Sequence, residues 1–409
     1  MGVCCGTRRT FFRHQSKYIH SATAAVWKKQ QQQLLEERKN ETLLIGGDGR
    51  CDSVGHSAKY GMYSIIDIVT SKILCMELVQ STETGSANKM ECEGLKRCYK
   101  TMKNFKVLAL VTDMHLQIAK WVRENWSISH FYDCWHVVKS ITKKLEKLGK
   151  QKEMAIVSDW IKSIKLHLYW CALSSTPGQS NEIKEKWLSC IDHIQNVHTN
   201  CYHQPHEKKK NWLIPGSRPA DSVKTLLTST RTVNKIMKMS PYGQTSDLES
   251  FRSFVNHFAP KMIHFSYKGM ISRVYTAILH WNENSKRPQA RKWKTGELQY
   301  SIYYPKYKDG YVVHKILQDA TYSYIDQIVS QVFATAKVCP RKLVKNVIQV
   351  PPSLSANHHR IAKSAAIAAH KSRFRSTEKV PLRINSSTPT AVRGRGKKRN
   401  FSGQRKDKN

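Results

Sequence analysis

The sequence predicts a mixed α/β fold: three early strands, an alternation of helices and strands, a helical insertion and a basic tail. Three observations carry this. Short apolar runs recur between residues 43 and 132, bounded by Gly, Asp, Thr and Ser, as strands and their turns are. From residue 89 these runs alternate with segments of helical period. Beyond about residue 153 the strand signal stops. There Trp160, Ile164, His167, Leu168 and Cys171 recur at helical spacing, as do Trp187, Cys190, Ile191 and Ile194.

In chain order, Tyr18 to Asn40 lacks Pro and Gly and reads as a helix, with Gln30 to Gln33 on its surface. Leu43-Leu44-Ile45 is a short strand ending at Gly46-Gly47-Asp48. Gly61 to Val69 and Ile73 to Gln80 form an antiparallel pair turned by Thr70-Ser71-Lys72. Lys89 to Lys103 is an amphipathic helix, Val107 to Val111 a buried strand ending at Thr112-Asp113, and Leu116 to Asn125 a helix. Ile128 to Tyr132 is a further strand, leading into Asp133-Cys134-Trp135-His136 and a basic helix through Leu148. The order β-β-β-α-β-α-β-α is that of the ribonuclease-H-like fold, whose mixed sheet places ligands off the strand ends. After the insertion come helices at Leu248 to Phe258 and Gly269 to Trp281, a weakly patterned stretch from Asn284 to Lys308, and a last helix at Tyr324 to Phe333. His359 to His370 reads as a transient helix. The expected divisions are 1–41, an N-terminal helical lead-in; 42–148, the first part of the core; 149–244, the helical insertion; 245–334, core completion and C-terminal helices; and 335–409, a basic, largely disordered tail.

Composition narrows the function. The 409 residues carry 68 Lys and Arg against 30 Asp and Glu, a net charge of +38. A hydrophobic content of 40% with ten Trp excludes a wholly disordered chain. No apolar run approaches the roughly 20 residues of a spanning helix, so no membrane insertion is expected. Such charge calls for a polyanionic partner, DNA or RNA first and an anionic membrane surface second. The stretch 351–409 carries 15 Lys and Arg against Glu378 and Asp407, so the folded part is basic as well. Eleven scattered Cys do not form a disulfide framework, and no secretory signal precedes them. Free thiols in a reducing compartment are the simplest reading. Gly2 with Cys4 and Cys5 suggests acylation, but Gly6 stands where the myristoylation pattern wants Ser or Thr.

With so few acids, those at special places stand out. Asp48 ends the first strand and Asp113 the fourth. Side by side, two carboxylates repel unless a cation neutralises them. Oxygen donors with open positions suit Mg²⁺ or Mn²⁺, and a pair of such ions activates water or a 3′-hydroxyl against a phosphodiester. The competing reading makes both aspartates caps of turns and helices. A third acid comes from Glu249, in Ser246-Asp247-Leu248-Glu249-Ser250-Phe251, or from Glu283. Glu249 also fits a capping box with Ser246 as the N-cap. Asp133-x-x-His136 at a strand-to-helix junction suits phosphate orientation, with Asp133 fixing the imidazole tautomer. Its bland alternative is a helix cap with His136 packed in the first turn.

These pieces resemble eukaryotic cut-and-paste transposases of the three-carboxylate kind. The residues are Gly47-Asp48-Gly49-Arg50-Cys51-Asp52-Ser53-Val54-Gly55-His56-Ser57-Ala58-Lys59-Tyr60-Gly61, Val111-Thr112-Asp113-Met114-His115, Tyr132-Asp133-Cys134-Trp135-His136 and Leu248-Glu249-Ser250-Phe251. The Asp-x-x-His element is a feature of the Mutator, hAT, P-element and Kolobok-like groups. The resemblance spans about Thr42 to Phe333. It implies that Asp48, Asp113 and Glu249 are metal-binding catalytic acids, with Asp133 and His136 as the auxiliary motif. It also implies DNA strand cleavage and transfer in the nucleus, with transposon ends and target DNA as partners and homo-oligomerisation left open. Relatives often begin with a zinc-coordinating DNA-binding domain, which residues 1–41 do not supply, so a truncated, decayed or domesticated copy that binds DNA without catalysis is the alternative. An RNA-cleaving nuclease of the same fold is a further reading.

Weaker signals remain. His193, His198, Cys201, His203 and His206 lie within fourteen positions. His198, Cys201 and His203 have the density of a Zn²⁺ site without a standard finger spacing, and a basic loop with exposed histidines is the alternative. Gly46-Gly47-Asp48-Gly49 is not a P-loop, since no Gly-Lys-Ser/Thr follows. Arg50, Lys208, Lys209, Lys210, Arg393, Arg395, Lys397, Lys398 and Arg399 are the basic residues expected to contact DNA. Most of the Trp residues at helical spacing are expected in the core rather than stacked on bases.

Overall fold

The structure is a computed structural model and describes residues 6–54, 57–202, 211–242, 245–307, 309–338, 348–353 and 360–370. The chain forms two units, Met1–Asn357 and His358–Asn409. In the second, the helix α14 (Lys363–Ala368) is described, and residues 371–409, with the expected tail cluster from Arg393 to Arg399, lie outside the described residues. All other elements belong to the first unit.

Helix α1 (Arg8–His14) passes through a π-helical turn, Gln15–Ile19, into α2 (His20–Glu37), so the lead-in helix begins earlier than its periodicity predicts. The sheet is laid down by β1 (Leu43–Cys51), β2 (Tyr60–Asp67) and β3 (Lys72–Gln80). A single turn α3 (Ser81–Thr84) precedes α4 (Ala87–Met102), then β4 (Val107–Thr112), α5 (Leu116–Asn125), β5 (Ser129–Tyr132) and α6 (Cys134–Gly149). The strand order is β3-β2-β1-β4-β5. β2 is antiparallel to β1 and β3, while β1, β4 and β5 run parallel. This is the ribonuclease-H-like sheet that the element order predicts.

The sheet is covered on both faces, which explains why β2 is buried at every position. On one side Tyr63, Ile65, Leu74 and Leu110 pack with Leu95 and Cys98 of α4 and Ile118 and Val122 of α5. On the other, Tyr60, Met62, Ile66 and Leu78 meet Trp27 of α2 and the later helices α11 (Ser246–Phe258) and α12 (Tyr267–Asn284). The alternation along β2 assigns odd and even residues to opposite layers, as the pleat requires. Helix α4 sits close because Gly94 faces the sheet. A Cβ there would fall 2.5 Å from Tyr63 Cβ.

The insertion has its own core. Helices α7 (Ala155–Leu173), α8 (Ser180–His193), α9 (Arg218–Thr228) and α10 (Thr230–Ile236) join α6 around Trp160, Ile164, Leu168 and Trp187. Trp160 and Trp187 are buried as expected of core residues, whereas Trp170 is partly exposed. The chain then returns to its point of departure. Met239 forms an isolated parallel bridge with Tyr132, Ser240 N donates to Tyr132 O at 2.9 Å, and Cys134 Sγ donates to Ser240 O at 3.1 Å. From there α11 packs on the sheet face over β1 and β2.

Two regions depart from the sequence reading. The strand expected to stop at Gly46-Gly47-Asp48 continues to Cys51, so Asp48 lies inside β1 rather than at its end. Low strand propensity for Gly is overridden by pairing of the whole segment with β2. The weakly patterned stretch after Asn284 contains a hairpin, β6 (Tyr300–Tyr303) and β7 (Val312–Lys315), ahead of α13 (Ser323–Val338). Its strands are largely exposed, so no alternation marks them. Among the described residues the cysteines are free, and no helix is long and apolar enough to cross a membrane.

Gly94→Ala should lower stability by about 1–3 kcal/mol in chemical denaturation, the scale of overpacking against a rigid core side chain. An unchanged denaturation midpoint would show that α4 can lift off the sheet freely.

Candidate active site

The register fixes the centre of the site. Gly47 pairs with Thr112 across the parallel β1–β4 ladder, so the next residues, Asp48 and Asp113, emerge beside each other. Asp48 is 5% exposed and accepts an ion pair from Arg252 of α11. Burial pushes the Asp48 carboxyl up, Arg252 opposes this, and the negative neighbours Asp113 and Glu91 add to it, leaving the pKa at about 7.

Glu91 was not anticipated from the sequence. It lies on α4 directly over Gly49, where a Cβ would fall 2.6 Å from Glu91 Cγ. Gly49 therefore lets the glutamate stem close on β1 next to Asp48. Burial raises the Glu91 pKa first, with His115 and Arg252 opposing and Asp113 adding. A glutamate on an amphipathic helix carries no motif, so only the glycine opposite it offered a signal.

His136 links the other acids. Its Nδ1 lies 2.9 Å from Asp113 Oδ1 and 3.4 Å from Asp133 Oδ1, and its Nε2 lies 3.8 Å from Glu249 Oε1. Nδ1 has no aligned hydrogen bond, so these contacts are chiefly ionic. Burial opposes the charged ring, yet Asp113 and then Asp133 outweigh it and raise the pKa to about 10. The neighbouring carboxylates thus favour the charged form of the His136 ring.

Asp133 is found in the helix-cap role, with its carboxylate near the His136 ring but without an aligned hydrogen bond to Nδ1. It caps α6 by accepting from His136 N at 3.2 Å, and it stands beside the His136 ring. Its other oxygen accepts from Thr245 N at 2.8 Å and Thr245 Oγ1 at 2.6 Å. Burial alone would raise this carboxyl, but the bonds from His136 and Thr245 bring it down to about 2. These bonds also correct the expected capping box. Thr245, not Ser246, is the N-cap of α11, and it makes no side-chain cap because its hydroxyl goes to Asp133. Glu249 is left free of a capping duty and faces His136. Ser71 Oγ, donating to Asp247, fastens the start of α11 to the β2–β3 turn.

The rival third acid, Glu283, is engaged elsewhere. Its carboxylate accepts from Ser323 N at 2.9 Å and Tyr324 N at 3.1 Å, capping α13. Arg50 is a second correction. It is 4% exposed and donates to Asn256 Oδ1 at 2.7 Å and Ala259 O at 2.6 Å, so it ties β1 to α11 instead of meeting DNA. Lys208, Lys209, Lys210 and His203 lie outside the described residues. His198 and Cys201 are brought together with His193, away from the acids.

The fold and this cluster define an acidic site at the parallel strand ends of a ribonuclease-H-like sheet. The family profile described as Mutator-like transposase matches residues 79–207. That segment holds Asp113, Asp133 and His136, and over it the chain resembles Mutator-like transposases. No curated protein matches the chain. Among solved structures the chain is similar to one from the Drosophila P element transposase strand transfer complex, at 10% identity and a TM-score of 0.30, covering 69% of this chain and 86% of that one.

The Asp133 bonds generate a pH prediction. A carboxyl held at about 2 in the fold and near 4 when unfolded stabilises the protein above pH 4, and this stabilisation is lost as pH falls towards 2. Asp133→Asn puts a donor where an acceptor is needed. It should cost about 2 kcal/mol at pH 7 and flatten the acid limb of the stability profile. Equal stability of variant and wild type at pH 7 and pH 3 would contradict this role.

Proposed function

We propose that the protein is a transposase-like enzyme that cleaves and transfers DNA strands in the nucleus. The supporting observation is the convergence of Asp48, Asp113, Glu91 and Glu249 at one sheet end in a chain of net charge +38.

The carboxylate chemistry of these residues suits a hard divalent cation, although here Asp48 faces Arg252 and the His136 ring stands between Asp113 and Glu249, so among the described residues these acids are not gathered into one ligand cluster. Asp48, Asp113 and Glu249 would hold Mg²⁺ or Mn²⁺, with Glu91 the nearest further carboxylate. The chemistry supplied when such an ion is bound would be activation of the attacking hydroxyl and stabilisation of the leaving oxygen of a phosphodiester. Burial first, and then the carboxylates of Asp113 and Glu91, raise the Asp48 pKa, and a bound cation would favour its charged form. Arg252 offers a guanidinium suited to a phosphate oxygen once Asp48 is otherwise neutralised. His136, kept protonated, orients Asp113 and has a second N–H directed to the Glu249 side, where it suits donation to a phosphate oxygen. Asp133 and Thr245 hold that ring in place. The basic surface supplies sequence-independent affinity for DNA.

A second reading is a catalytically silent DNA-binding protein derived from a transposase. It is favoured by the pairing of Asp48 with Arg252 and of Asp113 with His136, since the acids are already balanced by the protein's own cations.

Nicking of supercoiled plasmid at low salt with Mn²⁺ separates the two. Wild type should nick and Asp113→Ala should not, while both bind DNA with the same salt dependence, a log–log slope of about −0.9 per phosphate contacted. Nicking by Asp113→Ala at the wild-type rate would sink the assignment. Tight binding without nicking by wild type would favour the silent protein.

A further inference from the structure

We propose that the helical insertion carries a zinc site built from His193, His198 and Cys201, separate from the carboxylate cluster and unrelated to its chemistry.

The three residues come from one turn of chain. His193 is the last residue of α8. Asn196 then adopts a left-handed backbone, φ 62°, a conformation that Asn tolerates better than most residues. Asn196 N and Val197 N fold back onto His193 O and Asp192 O at 3.1 and 3.0 Å, and Cys201 N reaches His198 O at 3.3 Å. This reversal brings the two imidazoles and the thiol onto one side of the loop.

The geometry is that of metal ligands. Cys201 Sγ lies 3.5 Å from His193 Nδ1 and 3.5 Å from His198 Nδ1, and the three ligand atoms all lie within 4.8 Å of one another. A tetrahedral zinc with ordinary Zn–S and Zn–N bonds sets its S···N edge at about 3.6 Å. The far nitrogen of His198, Nε2, lies 3.2 Å from Asn196 Oδ1. That contact suits the tautomer with the proton on Nε2, in which Nδ1 can ligate a metal, and is the outer-shell support metal-binding histidines usually have. Two imidazoles and a thiolate select zinc over Mg²⁺ or Mn²⁺, which prefer oxygen.

The surroundings favour a structural ion. The rings of Trp160 and Trp212 stand 6.0 and 5.7 Å from His193, and Trp212 stands 5.6 Å from His198. His193 and Cys201 also line an apolar cavity of about 300 Å³ between α7 and α8. All three residues are half-buried, so they hold an ion against an aromatic wall. The ion joins the end of α8 to the loop that follows, and so fastens the edge of the insertion core.

The test is metal analysis of the full chain, equilibrated with zinc and freed of excess, beside Cys201→Ser and Asp113→Ala. Stoichiometric zinc is expected in wild type and in Asp113→Ala, and its loss in Cys201→Ser, with a lower Tm for wild type in chelator. Cobalt substitution of wild type should give a thiolate-to-metal charge-transfer band and the intense visible absorption of a tetrahedral ion. An oxygen-only site gives neither, so the signal cannot come from the acids. Absence of the thiolate band in wild type overturns the proposal even if Cys201→Ser fails to fold. So does a band or zinc content unchanged in a folded Cys201→Ser.

Discussion

Asp48 is a carboxylate buried in β1 beside Asp113, which follows β4, and the cost of keeping that carboxylate away from water shapes the site around it. The neighbouring carboxylates of Asp113 and Glu91 add to that cost. The fold answers with cations of its own. Arg252 pairs with Asp48 and the His136 ring with Asp113. Both arrive on helices that must be positioned for the purpose, α11 and α6. Glu91 adds a further negative group from α4, so the cluster holds more acid than these two cations neutralise.

Asp133 joins the two halves of that answer. It sits at the start of α6, caps the helix, flanks His136, and accepts two bonds from Thr245 at the start of α11. Between these points the chain leaves the sheet, builds a separate helical core and returns at Tyr132, Met239 and Ser240. An insertion of this length is tolerated because its ends stay close together. The residues that complete the site are therefore more than a hundred positions apart in sequence but meet through one buried carboxylate.

Much of this is legible in the sequence. Leu116–Asn125 is found where its period places it, since an isolated amphipathic run between a strand and a polar turn has one solution. Asp48, Asp113, Asp133, His136 and Glu249 stood out because acids are scarce and strand ends are recognisable. What escaped notice depended on contacts distant in sequence. β1 runs through its glycines because a neighbouring strand pairs with them. Glu91 and Arg252 acquire meaning only when α4 and α11 are laid over β1. Arg50 looked like a DNA contact by charge, but burial under α11 gives it a structural partner. Ser246 has the spacing of a capping box, but Thr245 is the N-cap, and Asp133, from the other side of the insertion, takes its hydroxyl. The β6–β7 hairpin buries too little to leave a pattern.

We propose that this acid cluster, only partly neutralised by Arg252 and His136, is a divalent-cation site. Electron paramagnetic resonance of Mn²⁺ titrated into the full chain tests it most directly, because free and bound Mn²⁺ are told apart without DNA or turnover. The account predicts saturable Mn²⁺ binding by wild type that is lost in Asp113→Asn and in Asp48→Asn. No saturable binding by wild type, or equal affinity in all three proteins, would contradict it.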